Sequence, residues 1–261
     1  MKKILLFMLL VVNSTMLPAG QIELRGTYQG ENLYIKNPFA ATGVGFCVYE
    51  VTVNGMTTTD EINSSAFEVD LSVFGFRLGE PITIRVNYKE GCSPNILNAD
   101  VLNARATFVA EGLHIENGKL VWNTRNETGP LPFIIEQFRW NKWVETGRVD
   151  GKGVPGQHTY SAEVRLHAGT NRFRIRQVDS RGNRRLSGEI TYISNKQPVT
   201  FNITSDGNYI RFSEATLYEL FDGFGRIVVR GFGDRLQVAN LERGNYYLNY
   251  DNTMEVFNKR R

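Results

Sequence analysis

The sequence predicts an all-β protein made of three consecutive small β-sandwich domains behind a leader segment. Short runs alternate apolar and polar residues between turn residues, which is the period-two pattern of strands with one buried face. No helical period of useful length is found between residues 21 and 104. The 16 Phe and 11 Tyr among the 261 residues also favour strands, where aromatic side chains pack well.

Residues 1–20 predict a secretory signal peptide. Lys2 and Lys3 precede an unbroken apolar run from Ile4 to Val12. As a helix these nine residues rise about 14 Å, roughly half of a bilayer, so the run is too short to span a membrane and suits an export signal. No later apolar stretch is long enough to anchor the chain, so we expect an exported protein without direct membrane insertion.

The charge of the predicted mature chain is close to neutral. Without Lys2 and Lys3, the formal charge of +3 falls to about +1, with 28 basic against 27 acidic residues. A near-neutral chain has no global field that would attract nucleic acid or an anionic membrane. We therefore expect no nucleic-acid partner.

Cys47 and Cys92 are the only cysteines, and an even number in an exported chain predicts a disulfide. Closing a loop of about 46 residues would stabilise the first domain by roughly 4 kcal/mol on the chain-entropy model. Two buried free thiols and half of a metal site are the competing interpretations. With three histidines and no CxxC motif, neither a metal site nor a cofactor is predicted.

The first predicted domain covers residues 21–105. The run "FCVYEVTVNG" alternates and ends on Asn54-Gly55, a strong tight-turn pair, and "PITIRVNYK" places alternate apolar residues on one face. The segment "NPFAATGVGF", residues 37–46, is either a binding edge or a glycine-rich loop. The stretch "GCSPNILNADVLNARAT" has few strand signals and predicts a connector into the next domain.

The second predicted domain, residues 106–195, has about seven strand-like runs, with Asn117-Gly118 as a hairpin turn. This number of strands in about 90 residues fits an immunoglobulin-like or fibronectin type III sandwich. Three tryptophans are predicted to serve its core and the rim of that core: Trp122, Trp140 and Trp143.

One strand of this second domain has an arginine on every second residue. Arg172, Arg174 and Arg176 would share one face, with Phe173 and Ile175 buried on the other. Such a ladder is usually the solvated face of a strand, where charge discourages aggregation. The alternative is a site for an anionic partner, namely a phosphate backbone, a glycan or an acidic protein.

The third predicted domain, residues 196–261, contains six candidate strands and the glycine-rich stretch "LFDGFGRIVVRGFGD". Gly223 and Gly225 could begin a dinucleotide fingerprint, but Val228 occupies the position of its third glycine and the following run favours a strand rather than a helix. The stretch therefore predicts a hairpin turn at "DGFG". Gly231–Gly233 predict the next bend.

No catalytic residues are predicted. His114 lies in a strand-like run, and His158 and His167 flank strands without a nearby nucleophile motif. The carboxylates are scattered, without a pair whose environments would separate their pKa values. The chain is therefore interpreted as a non-enzyme, and the alternative is a diffuse active site in the first domain around Cys47, Tyr49 and Tyr88.

The second domain resembles the fibronectin-like module common in exported Bacteroidota proteins. In that module an aromatic-Arg-hydrophobic-basic-Gln-Val-Asp string is followed by a glycine turn and a serine-containing strand. Here the string is Phe173 to Asp179, with Gly182 and Ser187 after it.

The third domain resembles the C-terminal domain that directs proteins through the type IX secretion system. "LYELFDGFGRIVV" fits the family's Asp-x-x-Gly-Arg turn, "VANLERGNYYLNY" fits its Leu-x-x-Gly-x-Tyr element, and the chain ends on basic residues. The resemblance implies a small sandwich that another protein recognises. The residues that it implies for partner binding are Asp222, Gly225, Arg226, Gly244, Lys259 and Arg260.

Cargo domains of this family usually open with a Pro-Asn-Pro element, whereas "SNKQPVTFNITSDGN" has Pro198 alone. This departure favours a resident component over a cleaved cargo. The prediction is a non-enzymatic envelope protein, periplasmic or associated with the outer membrane, that binds or plugs the type IX outer-membrane translocon. The alternative is exported cargo on the cell surface, acting as an adhesin or glycan-binding protein with residues 21–105 as its binding module.

Overall fold

The structure is a computed structural model and describes residues 20–260. Residues 1–19 of the predicted signal peptide and Arg261 lie outside the described residues. The described chain is almost entirely strand and loop, with two short 3-10 helices, Leu71–Phe74 and Ala99–Leu102, which confirms the all-β prediction. Between residues 20 and 260, no helix has the length and apolar character to cross a membrane.

The chain divides into two compact units between Asn103 and Ala104. The first unit corresponds to the first predicted domain. The second unit contains both of the other predicted domains, here named the middle module (106–195) and the terminal module (196–260). Each of the two modules has a hydrophobic core of its own.

The first unit is a sandwich of two antiparallel sheets. One sheet has the strand order β1-β6-β3-β4 and the other has the order β5-β2-β7. Leu33 and Ile35 from one sheet pack with Val51 and Ile84 from the other in a single core. The strands are β1 (Gly20–Thr27), β2 (Leu33–Lys36), β3 (Val48–Val53), β4 (Met56–Thr57), β5 (Ala66–Val69), β6 (Pro81–Tyr88) and β7 (Asn95–Ile96).

The predicted disulfide between Cys47 and Cys92 is confirmed. The two Cα atoms are 5.9 Å apart, within the ordinary range for such a bridge. It joins the residue before β3 to the segment after β6, two neighbouring strands of one sheet. The Asn54-Gly55 turn between β3 and β4 is also as predicted, with positive φ at both residues.

The middle module is a second two-sheet sandwich, with strand orders β11-β10-β13-β14, where β15 also pairs with β13, and β12-β9-β8. Trp122 is fully buried against Phe133 and Tyr160, as predicted for a core tryptophan. The strands are β8 (Val109–Glu116), β9 (Lys119–Arg125), β10 (Phe133–Arg139), β11 (Lys142–Val149), β12 (His158–Glu163), β13 (Gly169–Val178), β14 (Arg184–Leu186) and β15 (Ile190–Ser194).

The terminal module has five strands rather than the six expected. The first candidate strand divides at a turn into β16 and the beginning of β17, which continues through the second candidate, and the third and fourth candidates merge into β18. β17 pairs with β16, β18 and β19, and β20 pairs with β19. Gly231 and Gly233 lie inside β18, so the predicted bend is wrong; a Cβ on Gly231 would meet the hydroxyl of Tyr218 at 2.6 Å. The strands are β16 (Phe201–Ile203), β17 (Tyr209–Phe221), β18 (Ile227–Gln237), β19 (Gly244–Tyr250) and β20 (Thr253–Lys259).

The two modules of the second unit meet at a buried polar joint. Arg139, at the end of β10, is 2% exposed and donates hydrogen bonds to the main-chain oxygens of Asp251 and Arg165, both at 2.8 Å. Burial lowers the pKa of Arg139 to about 10. The carboxylate of Asp251 accepts from the backbone N–H groups of Ala168 and Val199. These contacts, named the joint, tie the turn between β19 and β20 to the middle module.

Candidate partner-binding site

The predicted Asp-x-x-Gly-Arg turn connects β17 to β18 and is held together by its own residues. The Asp222 carboxylate accepts from the backbone N–H groups of Phe224 and Arg226 at 2.9 and 3.0 Å. The Arg226 side chain donates to the other carboxylate oxygen at 2.8 Å, and Gly225 adopts a φ of +78°. The backbone N–H of Arg226 is the largest cause that lowers the pKa of Asp222. Asp222, Gly225 and Arg226 therefore shape the turn.

The side chain that this turn presents to solvent is Phe224, which is 87% exposed. The guanidinium of Arg226 lies 5.3 Å from the centre of its ring. Sequence reasoning missed this residue, although an aromatic residue between two glycines in a tight turn is itself a signal. A hairpin tip usually holds small or polar residues, so the exposed phenyl ring makes Phe224 a candidate contact residue.

An apolar row crosses the sheet next to this turn. In the register of the sheet, Ile227 pairs with Phe221, Phe221 with Tyr247, and Tyr247 with Val256. Directly paired residues project from the same face, so these four side chains form one row across four strands. Tyr247 is 50% exposed and Val256 is 61% exposed. This set of four residues is named the apolar row.

The middle module covers the neighbouring part of the same face and stops at the apolar row. Lys142, beside the β10–β11 turn, binds the buried carboxylate of Glu219 with its Nζ at 2.5 Å from Oε2. Glu219 lies two residues before Phe221 on β17, and the same Nζ is 5.2 Å from the ring centre of Phe221. The apolar row therefore lies next to the part of this face that the middle module contacts.

The remaining predicted partner-binding residues lie at the same end of the sheet. Gly244, which begins β19, pairs with Lys259 on β20, and Arg260 follows. Lys259 is buried, and its Nζ donates to the main-chain oxygen of Gly207 at 2.8 Å. Its charge therefore serves the fold in this structure, whereas Arg260 is exposed. The structure brings all six predicted residues to one end of the terminal module.

The arginine ladder of β13 is as predicted on one face, with Phe173 and Ile175 fully buried on the other. Arg174 and Arg176 both bind the carboxylate of Glu136 at 2.7 Å. Arg172 pairs with Glu189 at 2.6 Å. The ring of Trp143 lies 5.4 Å from the guanidinium of Arg172 and 4.1 Å from that of Arg174. Most of the charge of the ladder is therefore neutralised within the module.

The segment of residues 37–46 in the first unit is a loop closed by an isolated bridge between Phe39 and Phe46. Their rings stack with centroids 4.8 Å apart. Phe39 is 67% exposed, and Val44 is also exposed. The loop displays a small apolar surface.

The three histidines, His114, His158 and His167, each contact a main-chain oxygen close to them in the sequence. His167 is also buried at the joint. Cys47 is consumed by the disulfide. Over residues 20–260, no group of three or more His, Cys, Asp or Glu side chains could hold a metal ion.

Neither a protein-family model nor a curated protein matches the chain. Among solved structures, a tetra-tandem repeat from the extending region of a large adhesion protein has 10% identity over 92% of this chain and 72% of that chain, with a TM-score of 0.34. The FN1–FN3 domains of chicken CNTN1 share 10% identity over 94% and 99%, with a TM-score of 0.25. Ruminococcus gnavus β-glucuronidase shares 14% over 74% and 37%, with a TM-score of 0.19.

Proposed function

We propose that the chain is a non-enzymatic cell-envelope protein that binds another protein through the end of its terminal module that carries Phe224 and the apolar row. The observation that supports this is the exposed Phe224 beside the apolar row. Exposed apolar side chains gathered on one rim of a soluble module favour a protein interface. In the finer form of the proposal, the protein is exported and the partner is the type IX outer-membrane translocon, which the terminal module binds or plugs from the periplasm.

The joint supports a retained terminal module over a cleaved one. Release of the segment after Gln197 would expose Arg139, which is almost fully buried and bonded to Asp251. A hydrogen bond from a charged donor typically contributes about 1.5–3 kcal/mol, and release would lose this one. A sorting domain made to be removed has no need of such a contact, whereas a resident component does.

The experiment is purification of the tagged full-length protein from envelope membranes, with mass spectrometry of both of its termini. We expect the outer-membrane translocon to co-purify with a chain that retains its residues after Gln197. Phe224→Lys should reduce the recovered translocon at least about tenfold, which corresponds to roughly 1.4 kcal/mol of binding free energy. Val73→Lys, at an exposed apolar residue of the first unit, is the matched control and should have no effect.

Recovery of the chain only from the culture medium, without its terminal module, would contradict this proposal. That outcome would favour the second candidate, an exported surface adhesin or glycan-binding protein. Its supporting observation is the loop of the first unit with Phe39 exposed above Phe46. Binding of cells or glycans that is lost in Phe39→Ala and kept in Phe224→Lys would establish the second candidate instead.

A further inference from the structure

The terminal module has a free strand edge whose outward side chains are uncharged. Among the described strands β20 pairs with β19 alone, so the backbone N–H and C=O groups along its other side have no strand partner. Val256 projects with the apolar row, and Met254 and Asn258 share its face of the strand. Met254 is 60% exposed. The outward face of this edge lacks the charges with which proteins usually discourage strand pairing, because Glu255 and Lys259 lie on the other face of β20, bonded to Tyr250 and Gly207.

The opposite edge of the same sheet is protected. β18 pairs only with β17 among the described strands, and it has Arg230, Asp234 and Arg235 along its length. Charged side chains on an edge strand oppose the addition of another strand. The contrast favours β20 over β18 as an edge for pairing. Among the described strands β16 (Phe201–Ile203) also pairs only with β17, but its three residues offer a much shorter edge than the seven of β20.

A groove lies beside the last residues of β20. Its volume is about 600 Å³, and it is bounded by the turn between β16 and β17 on one side and by the end of β20 on the other. Ile203 and Phe257 give it an apolar lining, and Arg260 lies at its rim. Because Lys259 is held by Gly207, Arg260 is the cation that an incoming molecule would meet there. The carboxylate of Asp206 also lines the groove, but both of its oxygens already accept hydrogen bonds from Thr204 and Asn208.

We propose that an extended segment of a partner protein adds to β20 as an extra strand. Its backbone would bond to the free edge, one of its side chains would extend the apolar row past Val256, and another would enter the groove between Ile203 and Phe257. The charge of Arg260 selects a segment with an acidic residue at that end. This inference rests on the proposed function, since it specifies how the partner engages the terminal module.

An extended segment fits this edge because the outward side chains of β20 recur at every second residue, which is the period of a strand. Alternate residues of β20 face outward over its seven residues, and backbone bonding along an edge gives affinity while side-chain pockets give specificity. The added strand would also meet Met254 near the joint, so the new interface would be continuous with the contact between the two modules.

The test is selection from a random peptide library on the full-length protein, with peptides as long as β20, seven residues. We expect proline-free peptides with alternating apolar residues and an acidic residue. Labelled synthetic copies should bind in fluorescence polarisation. Hydrogen exchange of Thr253–Lys259 should slow when they bind, while that of β18 should stay unchanged.

Two lysine substitutions compare the two edges. Val256→Lys should weaken peptide binding at least about tenfold, whereas Val228→Lys on β18 should change it less than about twofold. Both side chains are exposed, and thermal unfolding together with hydrogen exchange of the free proteins checks that each variant is folded. Equal binding by Val256→Lys, protection of β18, or failure to select any peptide would overturn the proposal.

A second copy of the chain could also occupy the edge. Concentration-dependent dimerisation that Val256→Lys abolishes would assign β20 to self-association and would overturn binding of a partner strand. If no peptide binds while the translocon still co-purifies, the proposed function stands and only the addition of a partner strand to β20 is excluded. Peptide binding without co-purification of the translocon would support strand addition at β20 and would contradict the translocon as the partner.

Discussion

At the scale of single residues, the middle module depends on a buried carboxyl group that sequence reasoning did not single out. Glu127 is almost fully buried and accepts hydrogen bonds from the side chain of Thr124, the hydroxyl of Tyr160 and the backbone N–H of Gly153. Burial raises the pKa of Tyr160 to about 12. Glu127 therefore fixes the loop around Gly153 to the core.

We expect Glu127→Gln to lower the free energy of unfolding by about 2–3 kcal/mol, because an amide nitrogen would replace one acceptor among several donors. Urea unfolding followed by tryptophan fluorescence measures the change, since Trp122 stacks on Tyr160. Glu111→Gln, which removes an exposed pair with Arg125, should cost at most about 1 kcal/mol. Equal losses in the two variants would contradict this assignment.

His167 gives the joint a dependence on pH. Burial is the main cause that lowers its pKa below the ordinary value of 6.5, and Arg139 adds to this while Asp251 opposes it. The unfolded chain therefore takes up a proton before the folded chain does. Stability should be complete above about pH 6.5 and should fall as the pH drops from there towards the lower pKa of the folded state.

Unfolding free energies measured between neutral and mildly acidic pH test this expectation. His167→Asn removes the titrating group and should reduce the loss of stability on acidification, whatever its effect at neutral pH. His158→Asn, at a half-buried position outside the joint, is the control and should keep the pH dependence of the unchanged protein. An unchanged slope in His167→Asn would rule out the buried histidine as its source.

At the scale of elements, the outer face of β10 and β13 is held by Glu136. Its two carboxylate oxygens bind Arg174 and Arg176, and all three side chains are largely buried. Glutamine would keep one acceptor oxygen, so one of the two neighbouring guanidinium groups would lose its acceptor and both would lose the negative charge between them. We expect Glu136→Gln to cost about 2–3 kcal/mol in urea unfolding.

Glu189→Gln is the matched control for Glu136→Gln, because Glu189 pairs with Arg172 at a more exposed position of the same ladder. Its cost should stay below about 1 kcal/mol. If both substitutions had the same small effect, the ladder would be a solvated face, the simpler interpretation of the alternating arginines. An anionic partner could then bind the arginines of the ladder in place of Glu136 and Glu189.

Local signals in the sequence were enough to predict many of the strands and turns. The alternation around Phe173 and Ile175 fixed the buried face of β13, and Asn117-Gly118 fixed the hairpin between β8 and β9 through positive φ at both residues. The Asp222 turn could be predicted for the same reason. Turn chemistry and strand period are properties of a few neighbouring residues, so they can be read from the sequence.

Features that depend on distant partners could not be predicted in this way. Arg139 and Asp251 are 112 residues apart, and a charged residue is expected at the surface unless its partner is known. The length of β17 and β18 was also missed, because a register shift between Arg211 and Thr216 lets β17 continue through polar residues that suggested a break. The apolar row needs the register of four strands, which no single segment contains.

At the scale of the whole molecule, the joint is one of the contacts that hold the two modules of the second unit together, beside the ion pair between Lys142 and Glu219. The connection between the two modules, residues 195–200, is largely exposed and contains Lys196, a site for trypsin. Cleavage there requires the chain to open locally, so its rate follows the population of molecules in which the joint is broken. The rate of this cut therefore reports on the joint.

We expect Arg139→Ala in the full-length protein to accelerate trypsin cleavage after Lys196 by at least about tenfold, because the variant leaves the buried main-chain oxygen of Asp251 without its donor. Mass spectrometry identifies the cut and separates it from general unfolding, which would produce cuts throughout the middle module. Arg148→Ala removes an exposed arginine that pairs with Glu145 and should leave the rate unchanged. Rapid cleavage of the unchanged protein at Lys196 would mean that the terminal module separates readily, as a cleavable cargo domain must, and would weigh against its retention.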